Sequence, residues 1–396
     1  MKYSDIVKLC ESGLISAEQK DLIIERFHLK EEGGKLLAVL SFLGAILVTA
    51  GIILLLAANW EEIPRSVKIA GGLLLMLGAH GGGYYLREVH GKYRKTGEAL
   101  HLMGAGLFLA NIALIGQIYH LSSRPPNALL LWWAGIAPLP WLLRAKSLHV
   151  LTLLGIGIWF GMELVEPTSW IYFGGGAHQI LLYALLGLCY LGLGYCLRRT
   201  SSWNDFAGAT ETIGLLGFHL FLHPLTWEVL SPSGNNLPVT RIYAFLGLSG
   251  LALALIGFGL KDETRLTRQW RWTWFWALVG AVGLIAGALF LKWDWAQDYF
   301  VTRSAGYNWI ASIVLFVICL LQVHVGIQMR AAFLINVGIV FIALNIIATY
   351  ICLIGSMAST GLIFVVSGIF LIAFGIYLEK KRRALVLGIT RSTKED

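Results

Sequence analysis

The sequence predicts an all-α polytopic membrane protein with about 12 transmembrane helices and both chain ends in the cytoplasm. Composition is the first reason: 57% of the residues are hydrophobic and 14% are charged, whereas soluble domains carry about a quarter charged residues. The second reason is a series of apolar segments that approach the roughly 20 residues needed to cross a bilayer. The third is charge, because threading these segments from the inside leaves only 6 of the 31 Lys and Arg residues outside, in keeping with the positive-inside rule.

Residues 1–35 precede the first apolar segment and are predicted to form a short cytoplasmic helical hairpin. Its two arms are amphipathic patterns at residues 3–12 and 17–28. Ser16 and Gln19 have the spacing of a capping box, in which each side chain accepts a hydrogen bond from a free backbone N–H at the start of a helix. No cleavable signal peptide is visible, so we expect the first apolar segment to act as an uncleaved anchor.

The transmembrane domain is predicted over residues 36–378, and a basic cytoplasmic tail follows at 379–396. Pro138 and Pro140 lie in the fourth segment and are expected to bend or break it, because a proline ring clashes with the preceding helical turn. The predicted segments are 36–58, 69–86, 97–119, 128–143, 148–162, 178–197, 207–222, 242–260, 272–291, 308–328, 331–353 and 357–378.

Local motifs predict no catalytic residue, no metal and no cofactor. This favours a protein that is not an enzyme, although the absence of short motifs does not exclude a membrane enzyme. The sequence contains no G-x-x-x-x-G-K-[ST], no H-E-x-x-H and no G-x-S-x-G, which are the signatures of phosphate loops, zinc proteases and serine hydrolases. Its five cysteines include no C-x-x-C pair, which argues against a zinc site or a disulfide framework. The net charge of +8 comes from cations at segment ends, where anionic lipid headgroups lie. Membrane lipids are therefore the expected partners, and nucleic acid is not.

Polar residues inside the predicted segments are candidates for function, because placing them in a membrane is costly. In the third segment, Glu98, His101 and Asn111 recur at helical spacing and share one face. In the seventh, Glu211 and His219 are eight residues apart and also share a face. A Glu–His pair in a low dielectric can share a proton near neutral pH, as a proton-coupled transporter requires. The alternative is that these groups pair for structural reasons.

Two further motifs close the first and third segments on the predicted outer side. They are Ala57-Ala58-Asn59-Trp60-Glu61-Glu62 and Gly116-Gln117-Ile118-Tyr119-His120. The residues expected to line an outer vestibule are Asn59, Trp60, Glu61, Tyr119, His120 and Arg124. An arginine there is suited to hold an anionic headgroup, since it binds phosphate through two hydrogen bonds. The alternative is that these aromatic and charged residues are ordinary interfacial anchors.

With the N-terminal stretch ESGLISAEQKDLI, these two motifs resemble the bacterial membrane-protein family catalogued as domain of unknown function 2157. The resemblance covers about residues 1–150. It implies a multi-pass protein of the bacterial cytoplasmic (inner) membrane whose two motifs face outward. It implies no activity.

Binding or transport of a small-molecule or lipid-like solute that enters from the outer side is the preferred function. Helical bundles of this size with inward polar groups are more often carriers than enzymes, although fold alone does not fix function. One alternative is a membrane enzyme that acts on a lipid-linked phosphate or sugar at the outer face. The other is a non-catalytic assembly or sensor protein that binds a cytoplasmic partner through residues 1–30.

Overall fold

The computed structural model is helical, with no strand among the residues that it describes. The described residues are 10, 12–14, 16, 18–20, 34–58, 64–172, 179–200, 203–226, 239–261, 263–290, 305–353, 368–369, 372–373, 375–376 and 379–380. The chain forms two compact units, Met1–Ile156 and Gly157–Asp396.

The predicted capping box near the N-terminus is present. The Ser16 backbone N–H donates to Gln19 Oε1 at 2.9 Å, and the Gln19 backbone N–H donates to Ser16 Oγ at 3.2 Å. This reciprocal pair satisfies two backbone donors at a helix start. Most of the predicted hairpin over residues 1–35 lies outside the described residues.

The first unit is organised around one long helix. Its helices are α1 (Gly34–Ala58), α2 (Arg65–Tyr84), α3 (Arg94–Ile118), α4 (Pro125–Ile136), α5 (Leu139–Leu143) and α6 (Lys146–Val165), the last of which begins in the first unit and ends in the second. Helix α2 continues into a π-helical turn, Tyr85–Val89. Helix α3 packs against α1, α2 and α4, so side chains on several faces of α3 are buried.

The predicted break in the fourth apolar segment occurs at its prolines. Helix α4 ends at Ile136, and α5 begins at Leu139 after Pro138. Pro138 and Pro140 stand at the start of α5, where a missing N–H leaves no helical hydrogen bond unmade. The segment therefore consists of two short helices.

Glycines bring α2 and α3 into backbone contact. A Cβ atom on Gly83 would lie 2.9 Å from the carbonyl oxygen of Gly97, and a Cβ atom on Gly97 would lie 2.6 Å from that of Gly83. Both distances are shorter than real Cβ contacts allow. The two helices can approach this closely only because both positions are glycine.

Helix-to-helix contacts in the second unit run around a ring. Its further helices are α7 (Ile180–Arg199), α8 (Asn204–Leu222), α9 (Val239–Leu260), α10 (Arg268–Phe290), α11 (Ala305–Gln328) and α12 (Ala332–Leu353), with a 3₁₀ turn, His223–Thr226, after α8. Helix α7 packs against α8 and α9, α9 against α10, α10 against α11, and α11 against α12. The 3₁₀ turn contacts both α11 and α12, which closes the ring.

Seven of the described helices are long and apolar enough to cross a membrane. They are Arg94–Ile118, Lys146–Val165, Ile180–Arg199, Ile242–Leu260, Arg268–Phe290, Asn308–Gln328 and Ala332–Thr349. The described helices also coincide with the first eleven predicted segments, while most of the twelfth, 357–378, lies outside the described residues. An all-helical membrane protein is thus confirmed, and a total of twelve spans stays a prediction.

Candidate functional site

Glu98 joins α3 to the start of α6. Its Oε1 accepts hydrogen bonds from the backbone N–H of Ser147 at 3.1 Å and from the Ser147 hydroxyl at 2.6 Å. Ser147 is the second residue of α6, where the exposed backbone N–H groups favour a negative charge. The carboxylate therefore caps a neighbouring helix, which is the structural pairing that the sequence left open as an alternative.

His101 is buried against a histidine that was not among the predicted site residues. Its Nδ1 lies 3.1 Å from Nδ1 of His80 on α2, and the ring centroids are 5.4 Å apart. Glycines make room for both rings, because a Cβ on Gly83 would lie 3.1 Å from the His101 ring and one on Gly104 would lie 2.6 Å from Nε2 of His80. We call His80 and His101 the imidazole pair.

Asn111 is buried two to three turns further along α3. Its Nδ2 donates to the carbonyl oxygens of Gly72 at 3.0 Å and Leu107 at 2.8 Å. Its Oδ1 is buried and has no hydrogen-bond partner among the described residues. A side chain larger than that of Gly72 would collide with this oxygen. Both amide hydrogens are therefore committed, while the amide oxygen is left as an acceptor.

A groove of about 530 Å³ runs beside Asn111 between α1, α2 and α3. Its walls are mostly apolar, and the polar side chains that line it are the amides of Asn111 and Gln117. Apolar lining residues from the three helices include Ile52, Ile53, Leu75, Leu107 and Leu114. Pockets of this volume with few polar groups are typical of small-molecule sites.

Glu211 in the second unit is held by an arginine of the neighbouring helix. Its carboxylate accepts hydrogen bonds from Arg198 Nε at 2.8 Å and Arg198 Nη2 at 2.6 Å. This two-point pairing is the strongest arrangement of these groups, and it joins α7 to α8. Glu98, His101 and Asn111 lie in the first unit, whereas Glu211 and His219 lie in the second.

His219 is fully buried and bonds to a glutamine of α11. Its Nε2 lies 2.5 Å from Gln322 Oε1, and Gln322 Nε2 donates to the carbonyl oxygen of Leu334 at 2.9 Å. His223 lies one turn later, with its Nδ1 3.1 Å from the carbonyl oxygen of His219. Both imidazole rings face the ring of Phe341, at centroid distances of 4.6 Å.

Cys319 completes a buried group of three potential ligands with these two histidines. One nitrogen of each ring and the Cys319 sulfur all lie within 4.8 Å of one another. His219 is among the residues predicted from the sequence, whereas His223 and Cys319 are not. The sequence contains two patterns that could have indicated them. His219 and His223 are four residues apart, and Cys319 is three residues before Gln322, so the members of each pair lie on one helix face.

The predicted outer vestibule is only partly within the described residues. Asn59, Trp60 and Glu61 lie outside them. Tyr119, His120 and Arg124 lie in the link between α3 and α4, where Tyr119 is exposed. The backbone of His120 has a φ of +48°, in the left-handed region that reverses the chain direction after a helix. The vestibule stays a prediction.

The helices, their apolar surfaces and the buried polar groups define a helical membrane protein of unknown function. Residues 8–149 match a family model described as "Predicted membrane protein (DUF2157)". The resemblance of the N-terminal part, about residues 1–150, is therefore confirmed, and the matched segment covers most of the first unit. No curated protein and no solved structure matches the chain.

Proposed function

We propose that this membrane protein binds, and carries across the bacterial inner membrane, a small or lipid-like solute, and that the groove beside Asn111 holds it. The observation that supports this proposal is the buried amide oxygen of Asn111, which has no hydrogen-bond partner among the described residues, on a helix face that lines an apolar groove. A buried acceptor without a donor is costly. A bound molecule that supplies a donor removes that cost.

The lining of the groove sets the chemistry of the solute. Isoleucine and leucine side chains from three helices favour an apolar body. Both hydrogens of the Asn111 amide already bond to helix carbonyls, so Oδ1 is the atom of this side chain left to accept a hydrogen bond from a hydroxyl or an amide N–H of the solute. Gln117 lies six residues later on α3, about 9 Å along the helix axis. An amphipathic molecule with an apolar body and hydroxyl or amide groups fits this spacing.

The same proposal includes a topology of twelve spans with both chain ends in the cytoplasm. It is supported by the Lys and Arg residues, of which 6 of 31 fall in outward loops when the predicted segments are threaded in this way. A reporter fused after Ser233 should then be active outside, and one fused to the C-terminus should be active inside. The reverse pattern at either position would contradict the threading.

Native mass spectrometry of the full-length protein in mild detergent tests the groove. The wild-type chain should retain a small molecule or lipid. Asn111→Leu removes the acceptor and should release that molecule, and Ala110→Phe should release it by filling the groove. Asn345→Leu is the matched control, because Asn345 is a buried asparagine of the second unit that donates to the carbonyl oxygen of Ser312.

The control variant should retain the bound molecule. Equal retention by wild type, Asn111→Leu and Ala110→Phe would refute the groove as the binding site. Using two variants that act by different means separates occupancy of the groove from a folding defect in either one.

A further inference from the structure

Three side chains that can bind a metal meet inside the ring of the second unit. They come from separate elements: His219 from the last turn of α8, His223 from the 3₁₀ turn and Cys319 from the middle of α11. Their exposed fractions are 0%, 7% and 0%. Burial of three such groups in one place requires a reason, because each loses its hydrogen bonds to water.

Hydrogen bonds fix which nitrogen of the His219 ring is available to a ligand. The amide of Gln322 is oriented by its own bond to the carbonyl oxygen of Leu334, so Gln322 presents its oxygen to His219. Nε2 of His219 must then carry the proton. Nδ1 of His219 keeps its lone pair, and it is buried without a hydrogen-bond partner in the described part of the chain.

In His223 the roles of the two ring nitrogens are reversed relative to His219. Its Nδ1 faces the carbonyl oxygen of His219 at 3.1 Å and therefore carries the proton, which leaves the lone pair on Nε2. That nitrogen is also buried without a hydrogen-bond partner among the described atoms. The backbone of Phe341 also lies close to the His223 ring, without a hydrogen bond to Nε2. Both rings thus have one nitrogen bonded to the protein and one available.

This is the pattern of metal-binding histidines. Such histidines donate their second ring N–H to a carbonyl or carboxylate, which fixes the tautomer and aims the lone pair at the ion. Here Gln322 and the His219 carbonyl are the acceptors. Cys319, a free buried cysteine, supplies a soft third ligand in the same group.

We propose that His219, His223 and Cys319 bind one Cu(I) ion. Two neutral imidazoles and one thiolate carry a single negative charge, which a monovalent ion cancels. With these three ligands alone, a divalent ion would leave a net positive charge, because the described residues of the group include no carboxylate. An uncompensated buried charge is strongly unfavourable. Thiolate and imidazole together suit copper and zinc, and charge balance selects Cu(I). The thiol proton is released to solvent as the copper–sulfur bond forms.

The spacing of the ligand atoms is compatible with a three-coordinate ion after a small adjustment. Metal–nitrogen and metal–sulfur bonds of about 2.0 and 2.3 Å place ligand atoms about 3.5–3.8 Å apart. One nitrogen of each ring and the Cys319 sulfur lie within 4.8 Å of one another, so bringing three donor atoms to bonding distance of one ion requires movements of about 1 Å. Rotation of the Cys319 side chain and tilting of the imidazole rings supply movements of that size.

A Cu(I) titration of the full-length protein in detergent tests the proposal. It is carried out under reducing conditions and in competition with a chelator of known affinity. Wild-type protein should bind one equivalent. Cys319→Ala and His223→Phe should lose it. Cys189→Ala is the matched control, because Cys189 is another buried free cysteine of this unit whose sulfur faces the carbonyl oxygen of Leu248, and it should bind copper as wild type does.

Two further measurements keep the result interpretable if a ligand variant does not fold. X-ray absorption of the wild-type copper complex should show one sulfur and two nitrogen neighbours. Gln322→Met should fold and weaken Cu(I) binding about 10–100-fold, because it removes the group that fixes the His219 tautomer. No stoichiometric copper, copper without a sulfur neighbour, or preferential binding of Zn(II) would overturn the proposal.

Discussion

Adding one methyl group at Gly214 should push α7 and α8 apart. A Cβ atom at this position would lie 2.7 Å from the carbonyl oxygen of Gly187 and closer still to the backbone nitrogen of Leu191. Ordinary contacts of a Cβ atom begin at 3.4 Å. Both obstructing atoms belong to the backbone of α7, so neither can rotate away, and the two helices must separate by roughly 1 Å.

The expected change in the free energy of unfolding of Gly214→Ala is the sum of two opposing effects. Overpacking of this kind costs about 1–3 kcal/mol. Replacing glycine by alanine inside a helix contributes about 1 kcal/mol in the other direction. Gly208→Ala on the same helix isolates the second effect, because a Cβ atom there meets nothing within 4 Å. Gly214→Ala should therefore be about 1–3 kcal/mol less stable than Gly208→Ala.

Reversible unfolding of both variants in mixed micelles, followed by tryptophan fluorescence, measures this difference. The two substitutions are chemically identical and lie on one helix, so effects on the unfolded chain cancel. Equal free energies of unfolding for Gly214→Ala and Gly208→Ala would refute backbone contact between α7 and α8 at this position.

Two other predictions concern ion pairs. Glu211→Leu should lower the free energy of unfolding by about 1–3 kcal/mol, which is less than for a fully buried pair, because the Arg198 side chain is 28% exposed. The double variant Glu211→Leu/Arg198→Leu should recover part of this loss. An unchanged free energy of unfolding for the single variant would show that the pair does not hold α7 to α8. Between α9 and α10, burial raises the pKa of Glu263. Two hydrogen bonds from the Arg265 guanidinium, its charge and a third hydrogen bond from its backbone N–H outweigh burial and hold this pKa below its ordinary value of 4.5. The stability that this lowered pKa contributes is complete above pH 4.5 and is lost as the pH falls through the folded-state pKa. Glu263→Gln should therefore reduce the decline of the unfolding midpoint at acidic pH. A decline identical to that of the wild type would count against this pairing.

Patterns that depend on neighbouring residues were predictable from the sequence. Helix positions follow from continuous apolar segments, and the break between α4 and α5 follows from Pro138 and Pro140. The capping box of Ser16 and Gln19 follows from a spacing of three residues. In each case the interacting groups are close in the sequence, so no knowledge of the packing was needed.

Partners that are distant in the sequence were not predictable. The pairing of Glu98 with Ser147 spans 49 residues, and that of His219 with Gln322 spans 103. Helical spacing places Glu98 or His219 on a face, but which helix covers that face depends on the packing of the whole unit. The expectation that no metal is bound considered cysteines close together in the sequence, and it stays a prediction. The contact of Cys319 with histidines about 100 residues away depends on the packing of the unit.

The imidazole pair has a consequence for where protons reside in the first unit. His80 and His101 meet through their Nδ1 atoms, so one Nδ1 must donate and the other must accept. When both rings are neutral, the ring that donates has a bare Nε2, and the ring that accepts has a protonated Nε2. The two outer nitrogens therefore always hold opposite states. Moving the central proton alone would leave one ring positively and the other negatively charged. A change of donor that keeps both rings neutral therefore requires one Nε2 to lose a proton while the other gains one.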